Sequence, residues 1–395
     1  MYTFVHTGEY MGYQDDYRKL SELCNPDNNT IISDDDIQII NAKFESRFVD
    51  NIDTKNIHCS EIRDIIFQDR EIETNRNFTY PVFLNKRQAD YSEVIVLFHG
   101  LNERSWKKYL PWGKALSVKT GHPVILFPIS FHMNRSPLQW SNPRKMMPLA
   151  NTRKEQNQDL REGSVVNAAI SNRLNEHPER FLISGFETYF DVLDLVDVIS
   201  SGMHPVLRQS KTVHFFGYSI GALLVQILMM THGEDLFSDS KAFLFCGGTT
   251  LDKMHGASRF ILDSAAFESL NRCYVSEGFC LKLDDLLYKP PYKKAVQMAF
   301  SSMMNSEVND TFRNSALKTL HNRLHVCALE KDDVIPAKAV AETFSTAINN
   351  TDNVVESLDF PFKYSHVTPF PYTGNQPEVN QAFDMIFNKA AEFLK

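Results

Sequence analysis

Hydrophobic runs of strand length recur along this chain, and helical or loop-like sequence separates them. Six such runs are found, at residues 94–98, 123–127, 213–216, 242–246, 324–329 and 354–358. Their residues are apolar almost without interruption rather than at every second position. Strands of this kind are buried on both faces, which is typical of a parallel sheet covered by helices. The pattern therefore predicts an α/β fold with a mostly parallel central sheet.

The N-terminal 60 residues differ from the rest, because they are polar, rich in aspartate and weakly periodic. A helix is predicted from about residue 34 to residue 48, with Asp34-Asp35-Asp36 as its start. We interpret residues 1–60 as an N-terminal extension packed on the core. After it, the apolar cluster at residues 62–67 and the run at 78–84 predict an antiparallel strand pair that leads into the sheet.

Two intervals between predicted strands are too long for a single crossover helix. Residues 130–182 have a loop-like composition followed by a charged helix, and residues 250–321 contain helical patterns at 281–287 and 295–304. Insertions in open α/β sheets lie above the carboxyl edge of the strands, where ligands bind. We therefore predict one α/β domain over residues 61–395, with a helical lid or cap inserted at about 250–321.

The stretch Gly217-Tyr218-Ser219-Ile220-Gly221 lies between an apolar strand and an apolar helix. Turning from strand to helix within five residues forces the middle residue into a strained backbone conformation. The flanking glycines allow neighbouring backbone to approach without Cβ clashes. The serine hydroxyl is then displayed at the carboxyl edge of the sheet, so Ser219 is the predicted nucleophile.

A serine nucleophile needs a base to take its proton and a carboxylate to orient that base. In a strand-turn-helix context both follow the serine, the acid before the histidine. Asp332 and Asp333 come after the predicted strand at 324–329. We prefer Asp332 because it lies nearest the strand end, with Asp333 as the second choice and Asp252 as the third. His366, in a Pro- and aromatic-rich loop before the final helix, is the predicted base and the only histidine after Asp332.

Two N–H donors are also expected, because the oxyanion formed during acyl transfer needs hydrogen bonds. Ile220, directly after the serine, should supply one. The loop His99-Gly100-Leu101-Asn102 should supply the other, either from the Leu101 N–H or from the Asn102 side chain. We interpret His99 as a residue that bonds loop backbone rather than as a base.

The ordered set of a His-Gly loop, a Gly-x-Ser-x-Gly elbow, a later Asp and a His before the last helix resembles the α/β-hydrolase superfamily. The resemblance covers roughly residues 93–395. The closing Asp-Phe-Pro-Phe and Ser-His-x-x-Pro-Phe stretch is also similar to a family of uncharacterised bacterial proteins of this fold. The resemblance implies that Ser219 is the nucleophile, Asp332 the acid and His366 the base. It also implies that Leu101 and Ile220 are the oxyanion donors.

Three further groups of residues are conspicuous near the predicted active edge. The aromatic group is a candidate for pocket lining or for core packing, and comprises Trp106, Trp112, Trp140 and Phe131. The polar group is a candidate for substrate recognition, and comprises His132, Asn134 and Arg135. Glu103 and Arg104 are interpreted as a surface pair.

Composition narrows the class of protein. The 395-residue chain is 43% hydrophobic, which is ample for a buried sheet, and its net charge of −8 without a long Lys/Arg run argues against a nucleic-acid partner. No signal peptide or membrane span is evident, and the six scattered cysteines suit free thiols in a reducing compartment, so a cytoplasmic protein is predicted. No ligand spacing suggests zinc, and we expect neither a metal nor a cofactor.

The sequence thus predicts a serine hydrolase that cleaves an ester, a thioester or an amide through an acyl-enzyme, with a carboxylic ester of a small molecule as the favoured substrate. Two alternatives stay open at this point. One is a non-catalytic binding or scaffold protein on a hydrolase fold. The other is an acyltransferase that uses the same residues. Oligomeric state and acyl-chain length are not specified by the sequence.

Overall fold

A single mixed sheet forms the centre of the molecule. The computed structural model describes residues 12–23, 32–33, 36–48, 57, 59–87, 91–207, 210–276, 293–348, 351, 354–374 and 376–395. Nine strands lie within these residues, in the spatial order β1-β2-β3-β5-β4-β6-β7-β8-β9. They are β1 Ile32–Ser33, β2 Ile37–Glu45, β3 Asn77–Asn85, β4 Glu93–Phe98, β5 Val124–Leu126, β6 Thr212–Tyr218, β7 Ala242–Phe245, β8 Leu324–Leu329 and β9 Val355–Leu358.

The six apolar runs all form strands, and they make up the parallel part of the sheet. Neighbours pair in parallel from β5 through β4, β6, β7 and β8 to β9. The first three strands are antiparallel, and β3 joins β5 in antiparallel register. The residues of β4 from Val94 to Phe98 are fully buried, as expected for a strand covered on both faces. The predicted α/β-hydrolase fold, with its mostly parallel sheet covered by helices, is confirmed.

Helices cover both faces of this sheet. The α-helices of the described residues are α1 Tyr13–Leu23, α2 Ser60–Arg70, α3 Glu73–Arg76, α4 Leu110–Thr120, α5 Pro143–Gln156, α6 Ala168–Glu176, α7 Glu179–Ser200, α8 Ile220–His232, α9 Ser264–Asn271, α10 Lys293–Met304, α11 Asp310–Thr319, α12 Ala337–Ser345 and α13 Gln376–Leu394. Adjacent residues of β6 show the two layers. Phe216 packs with Trp112 of α4 and Phe387 of α13, whereas Phe215 belongs to the core under α7, α8 and α10.

The helix predicted at 34–48 is wrong, because residues 37–45 form strand β2. The strand pairs along its whole length with β3, from Ile37 opposite Asn85 to Glu45 opposite Asn77. Ile37 and Ile39 are buried while Gln38 and Ile40 are partly exposed, which is the alternation of a strand. The N-terminal extension therefore supplies two strands to the sheet rather than only packing on it, and the sheet begins well before residue 61.

The strand predicted at residues 62–67 is also wrong, because this segment is helix α2. Its buried residues Ile62, Ile65, Ile66 and Asp69 recur at the helical spacing of three to four. The antiparallel partner of β3 is β2 instead.

Helices α5 and α6 lie within the first long interval, and α9, α10 and α11 lie within the second. The helical pattern at 295–304 is confirmed as part of α10, whereas the pattern at 281–287 lies outside the described residues. None of the helices in the described part of the chain combines the length and apolar composition needed to cross a membrane.

Candidate active site

Ser219 stands at the turn between β6 and α8 with φ 57° and ψ −120°, a conformation that non-glycine residues rarely adopt. Close packing around the turn requires glycine on both sides. A Cβ on Gly217 would lie 2.6 Å from the Cα of Ala222, and one on Gly221 would lie 2.7 Å from the carbonyl oxygen of Phe98. The Ser219 N–H also donates to the carbonyl of Phe245 at 3.2 Å, which ties the turn to β7. The sequence motif thus folds into the strained elbow it predicts.

The structure brings Ser219, His366 and Asp332 into one hydrogen-bonded series. His366 Nε2 lies 2.8 Å from Ser219 Oγ, and His366 Nδ1 lies 2.7 Å from Asp332 Oδ2. All three side chains are buried. Since an ionised carboxylate only accepts hydrogen bonds, Nδ1 carries the imidazole proton and Nε2 is left to accept from the serine hydroxyl. This is the arrangement in which an imidazole can take the proton of the serine.

The Asp332 carboxylate is held by more than the imidazole. Its Oδ1 accepts hydrogen bonds from the backbone N–H groups of Val334 and Ile335, at 2.9 and 2.8 Å. The thiol of Cys246, a residue with φ 47°, interacts electrostatically with Asp332, and burial raises the pKa of this thiol well above its usual range, so it is neutral. The sequence contains no signal for this interaction between Cys246 and Asp332.

The other two carboxylates considered for the acid lie elsewhere. Asp333 is exposed, and Asp252 accepts a hydrogen bond from Ser306 Oγ at 2.6 Å. Of the three aspartates weighed from the sequence, Asp332 is therefore the one that contacts His366.

His99 fixes the loop after β4, as the sequence predicts. Its Nδ1 donates to the Gly100 carbonyl at 2.8 Å, and its Nε2 accepts from the Ile129 N–H at 2.9 Å. Burial lowers the pKa of His99 to about 3, so the ring is neutral at physiological pH. The Gly100 N–H donates in turn to Tyr109 Oη at 3.0 Å, and this hydroxyl donates to Glu103 at 2.9 Å. A closed network therefore sets the position of this loop.

The two predicted oxyanion donors, the N–H groups of Leu101 and Ile220, have no hydrogen-bond acceptor among the described residues. The side chain of Asn102, which the sequence offers as an alternative oxyanion donor, has a different role. Its side-chain amide donates to the carbonyls of Val166 and Phe260, at 3.2 and 2.8 Å, so both amide hydrogens are already used. These two carbonyls belong to the two long insertions, and Asn102 therefore links the loop to both.

The loop that carries His366 is held by side chains that sequence reasoning missed. Tyr218, next to Ser219, donates its hydroxyl to the His366 carbonyl, and its ring stacks on the imidazole with centroids 5.6 Å apart. Lys108 pairs with Glu103, donates to the Val367 carbonyl at 3.2 Å and lies 4.6 Å from the centroid of the Tyr218 ring. A tyrosine inside the elbow motif is the one signal that could have pointed to this support.

Two cavities meet at Leu101. One, of about 190 Å³, opens over Ser219, and the residues that line it also include His366, Arg104 and Phe260. The other, of about 70 Å³, is lined mainly by apolar side chains of α6, α7, α8 and α10. Leu101 lines both cavities, whereas Ile220 lines the apolar one. Ser219 and the imidazole of His366 thus line the first cavity, and the second starts beside Leu101 and Ile220.

The conspicuous aromatic residues divide into two groups. Trp140 and Phe131 line the apolar cavity, whereas Trp112 is fully buried between α4, the sheet and α13, and Trp106 is buried in the same core. Only the first two are therefore placed to contact a ligand. The predicted surface pair of Glu103 and Arg104 is wrong, since Glu103 pairs with Lys108 and the Arg104 guanidinium lies against Trp140.

The polar group after β5 is held by bonds within the protein, and His132 also lines the apolar cavity. His132 Nδ1 bonds the Ser130 carbonyl and Asn134 bonds Thr79, at 2.8 and 2.9 Å. Arg135 is fully buried and pairs with two carboxylates of α7, Glu187 at 3.2 Å and Asp191 at 2.9 Å. Burial and the neighbouring Glu187 raise the pKa of Asp191 to about 7, against the opposing effect of Arg135.

His325, Cys327 and Glu356 place potential metal ligands within 4.8 Å of one another, at the β8–β9 edge. Lys389 Nζ lies 3.0 Å from Glu356, so this carboxylate already has a cationic partner. The expectation that the protein holds no metal stays a prediction.

Residues 11–395 match a family of unknown function, DUF6051. The chain belongs to the DUF6051 family. No curated protein matches this DUF6051 sequence.

Solved structures similar to the DUF6051 chain include several esterases. It is 11% identical to carboxyl esterase 2 of the mycorrhizal fungus Tuber melanosporum, over 81% of this chain and 82% of that one, with a TM-score of 0.44. It is 11% identical to a hyperthermophilic esterase of the archaeon Pyrobaculum calidifontis, over 96% and 89%, with a TM-score of 0.45. It is 12% identical to the acylaminoacyl peptidase of Pyrococcus horikoshii, over 80% and 39%, with a TM-score of 0.38. The fold of the DUF6051 protein follows from its own strand order and from the strained strand-to-helix turn at Ser219.

Proposed function

We propose that this DUF6051 protein is a serine hydrolase that cleaves esters, thioesters or amides through an acyl-enzyme, with a carboxylic ester as the favoured substrate. The observation that carries the proposal is the series Ser219–His366–Asp332, joined by hydrogen bonds of 2.8 and 2.7 Å at the base of a cavity. A buried series of this kind, with the serine on a strained turn, is the arrangement that activates a hydroxyl for attack.

In the proposed first step, Ser219 Oγ bonds to the carbonyl carbon while its proton passes to His366 Nε2. The negative charge that develops on the carbonyl oxygen is stabilised by the N–H groups of Leu101 and Ile220. Collapse of this intermediate breaks the bond to the leaving group, which takes the proton from His366. A water molecule then repeats the sequence on the acyl-enzyme, so that the acid is released and the Ser219 hydroxyl is restored. Asp332 stabilises the imidazolium in both halves.

We also propose that the insertion at about residues 250–321 acts as the lid or cap of this site. Phe260 and Ile261 line the cavity over Ser219, which supports this role. Val166, from the insertion between β5 and β6, lines the same cavity, and so the cap includes part of the first insertion as well.

The alternative of a non-catalytic binding or scaffold protein is less well supported, because binding alone does not require a serine, an imidazole and a carboxylate in one hydrogen-bonded series beneath a cavity. Acyl transfer uses the same residues and differs only in the acceptor. Product analysis with an added alcohol acceptor separates it from hydrolysis.

The decisive experiment is labelling with a fluorophosphonate, together with turnover of nitrophenyl esters of increasing acyl length. The wild-type protein should be labelled at Ser219 and should hydrolyse at least one ester. Ser219→Ala should abolish labelling and lower kcat by as much as roughly 10⁶-fold. The matched control is Ser345→Ala, which removes an exposed hydroxyl bonded only to a carbonyl within its own helix. Equal turnover in Ser219→Ala and the wild type would refute the proposal.

A further inference from the structure

Arg104 is a charged residue of the nucleophile cavity that the reaction scheme does not use. It lines the same cavity as Ser219 and His366. Its guanidinium donates to the Phe131 carbonyl at 3.1 Å and to Asn102 Oδ1 at 2.8 Å. The carbon at the centre of this group also lies 5.2 Å from the centroid of the Trp140 ring. The side chain is therefore fixed, and its planar group has a defined orientation at the cavity wall.

No carboxylate pairs with Arg104 within the described ranges. The other charged side chain that lines the cavity, Glu103, does have a partner, since it pairs with Lys108. Arg173 lies 5.0 Å from the same Trp140 ring, but Asp69 neutralises it at 2.9 Å. The charge of Arg104 is thus left uncompensated beside the nucleophile.

The guanidinium is also short of hydrogen-bond acceptors. Its five N–H groups make the two bonds given above, and Nε is buried without an acceptor in the described part of the chain. Burial and the neighbouring Arg173 lower the pKa of Arg104 to about 10, so it stays charged at neutral pH. A partly buried cation without a counter-ion is costly, and a ligand anion would lower that cost.

The position of His366 decides which half of the substrate this anion belongs to. The imidazole gives its proton to the leaving group, which must therefore lie on the His366 side of the scissile bond. His366 and Arg104 line one cavity, whereas the apolar cavity begins at Leu101 and Ile220 and contains neither. The acyl half then extends into the apolar cavity and the leaving group lies next to Arg104.

We infer that Arg104 binds a carboxylate on the leaving group, so that the substrates are apolar acyl esters or amides of a hydroxy or amino carboxylic acid. The planar guanidinium fork matches a carboxylate in a bidentate pair. This inference rests on the proposed function and adds the substrate class to it.

The test compares two chromogenic esters with the same acyl chain and nearly the same leaving group. The first is a 3-acyloxy-4-nitrobenzoate, whose leaving group carries a carboxylate, and the second is the corresponding 3-acyloxy-4-nitrobenzamide, which is neutral. The wild-type protein should prefer the carboxylate in kcat/KM by at least about tenfold, which corresponds to about 1.4 kcal/mol. Because the measured quantity is a ratio within one protein, a general loss of activity or folding cancels.

Three variants assign the preference to Arg104. Arg104→Gln should bring the ratio close to one. Arg104→Lys, which keeps the positive charge but lacks the planar guanidinium, should retain only part of the preference for the carboxylate. Lys107→Gln removes the same charge from an exposed neighbour outside the cavity and should leave the ratio as in the wild type. A preference that survives in Arg104→Gln, or that falls equally in Lys107→Gln, would overturn the role of Arg104.

The outcomes also separate this inference from the proposed function. Turnover of both esters at a ratio near one overturns the substrate class and leaves the hydrolase proposal intact. Absence of both turnover and fluorophosphonate labelling overturns the hydrolase proposal, and the inference with it. If Ser219 is labelled but neither ester is cleaved, free 3-hydroxy-4-nitrobenzoate should slow the labelling of the wild type and not that of Arg104→Gln. Equal protection by the neutral hydroxybenzamide would then overturn the inference.

Discussion

Replacing Asp332 by asparagine should exchange the donor and acceptor nitrogens of the His366 imidazole while leaving the position of the ring unchanged. Asp332 Oδ1 accepts from the N–H groups of Val334 and Ile335, so the carbonyl oxygen of an asparagine would stay on that side. Its NH₂ group would then face His366 Nδ1, at the place where Oδ2 accepts today at 2.7 Å. Nδ1 would have to become the acceptor. The proton would move to Nε2, which could no longer receive the proton of Ser219.

The size of the effect follows from this change of tautomer. A base in the wrong tautomer costs about 10⁴-fold in kcat in a serine triad, which corresponds to about 5.4 kcal/mol of activation free energy. Binding of substrate does not involve Asp332, so KM should change little. The fold should persist, because the backbone hydrogen bonds to Oδ1 are kept and the side-chain volume is unchanged.

The assay is kcat and KM of Asp332→Asn on the best nitrophenyl ester, with the midpoint of thermal unfolding measured in parallel. Asp333→Asn is the matched control, since it makes the same change at the exposed neighbour and should keep kcat within about twofold of the wild type. A value of kcat for Asp332→Asn within tenfold of the wild type would refute the orienting role of this residue. A large loss in Asp333→Asn instead would transfer the role to Asp333.

Three further predictions concern the surroundings of the site. Gly217→Ala should lower the free energy of unfolding, measured in urea, by about 1–3 kcal/mol, because its Cβ would lie 2.6 Å from the backbone of the next helix. Gly163→Ala is the control and should lower the free energy of unfolding by less, because its Cβ would meet only the end of a leucine side chain. Tyr218→Phe should lower the free energy of unfolding by about 1–3 kcal/mol, because it leaves the buried carbonyl of His366 without a hydrogen bond. It should also lower kcat more than it changes KM. The pKa of Asp191 is raised to about 7, so the folded state keeps a proton that the unfolded state loses at lower pH. Its contribution to stability should therefore fall by up to about 1.4 kcal/mol per pH unit from about pH 4 to pH 7. Asp191→Asn should remove this slope in urea titrations across that range, and an unchanged slope would contradict the assignment.

The parallel strands and the site residues on them were accessible from sequence because each carries its own local signal. A strand buried on both faces is apolar throughout, and the elbow must combine a serine with closely packed glycines. The approach of His366 to Ser219 is not local. It was predicted from chain order alone, and the contact itself depends on the packing of the loop around Tyr218.

The errors lie where the decisive partner is distant in the chain. Strand β2 begins just after an aspartate run that also suits a helix start, and its partner β3 lies about 40 residues further on. Helix α2 has a short apolar cluster whose spacing of Ile62, Ile65 and Ile66 suits a helix better than a strand, but the cluster is too short to decide between them. For β2 the ambiguity is resolved by its pairing with β3, about which sequence periodicity carries no information.

Asn102 shows why a polar residue next to an active site cannot be interpreted from its type alone. An amide in the loop after β4 is suited to bind an oxyanion, but here both of its hydrogens are donated to backbone carbonyls of the two insertions. The same side chain accepts from Arg104, which in turn holds Phe131 at the wall of the apolar cavity. The loop that contains the Leu101 N–H is therefore connected to both insertions on one side and to the proposed carboxylate site on the other. These contacts form one hydrogen-bonded unit. A leaving group that pairs with Arg104 would therefore also affect the position of the loop whose Leu101 N–H is proposed to stabilise the oxyanion. Substrate recognition and transition-state stabilisation would then depend on the same few side chains.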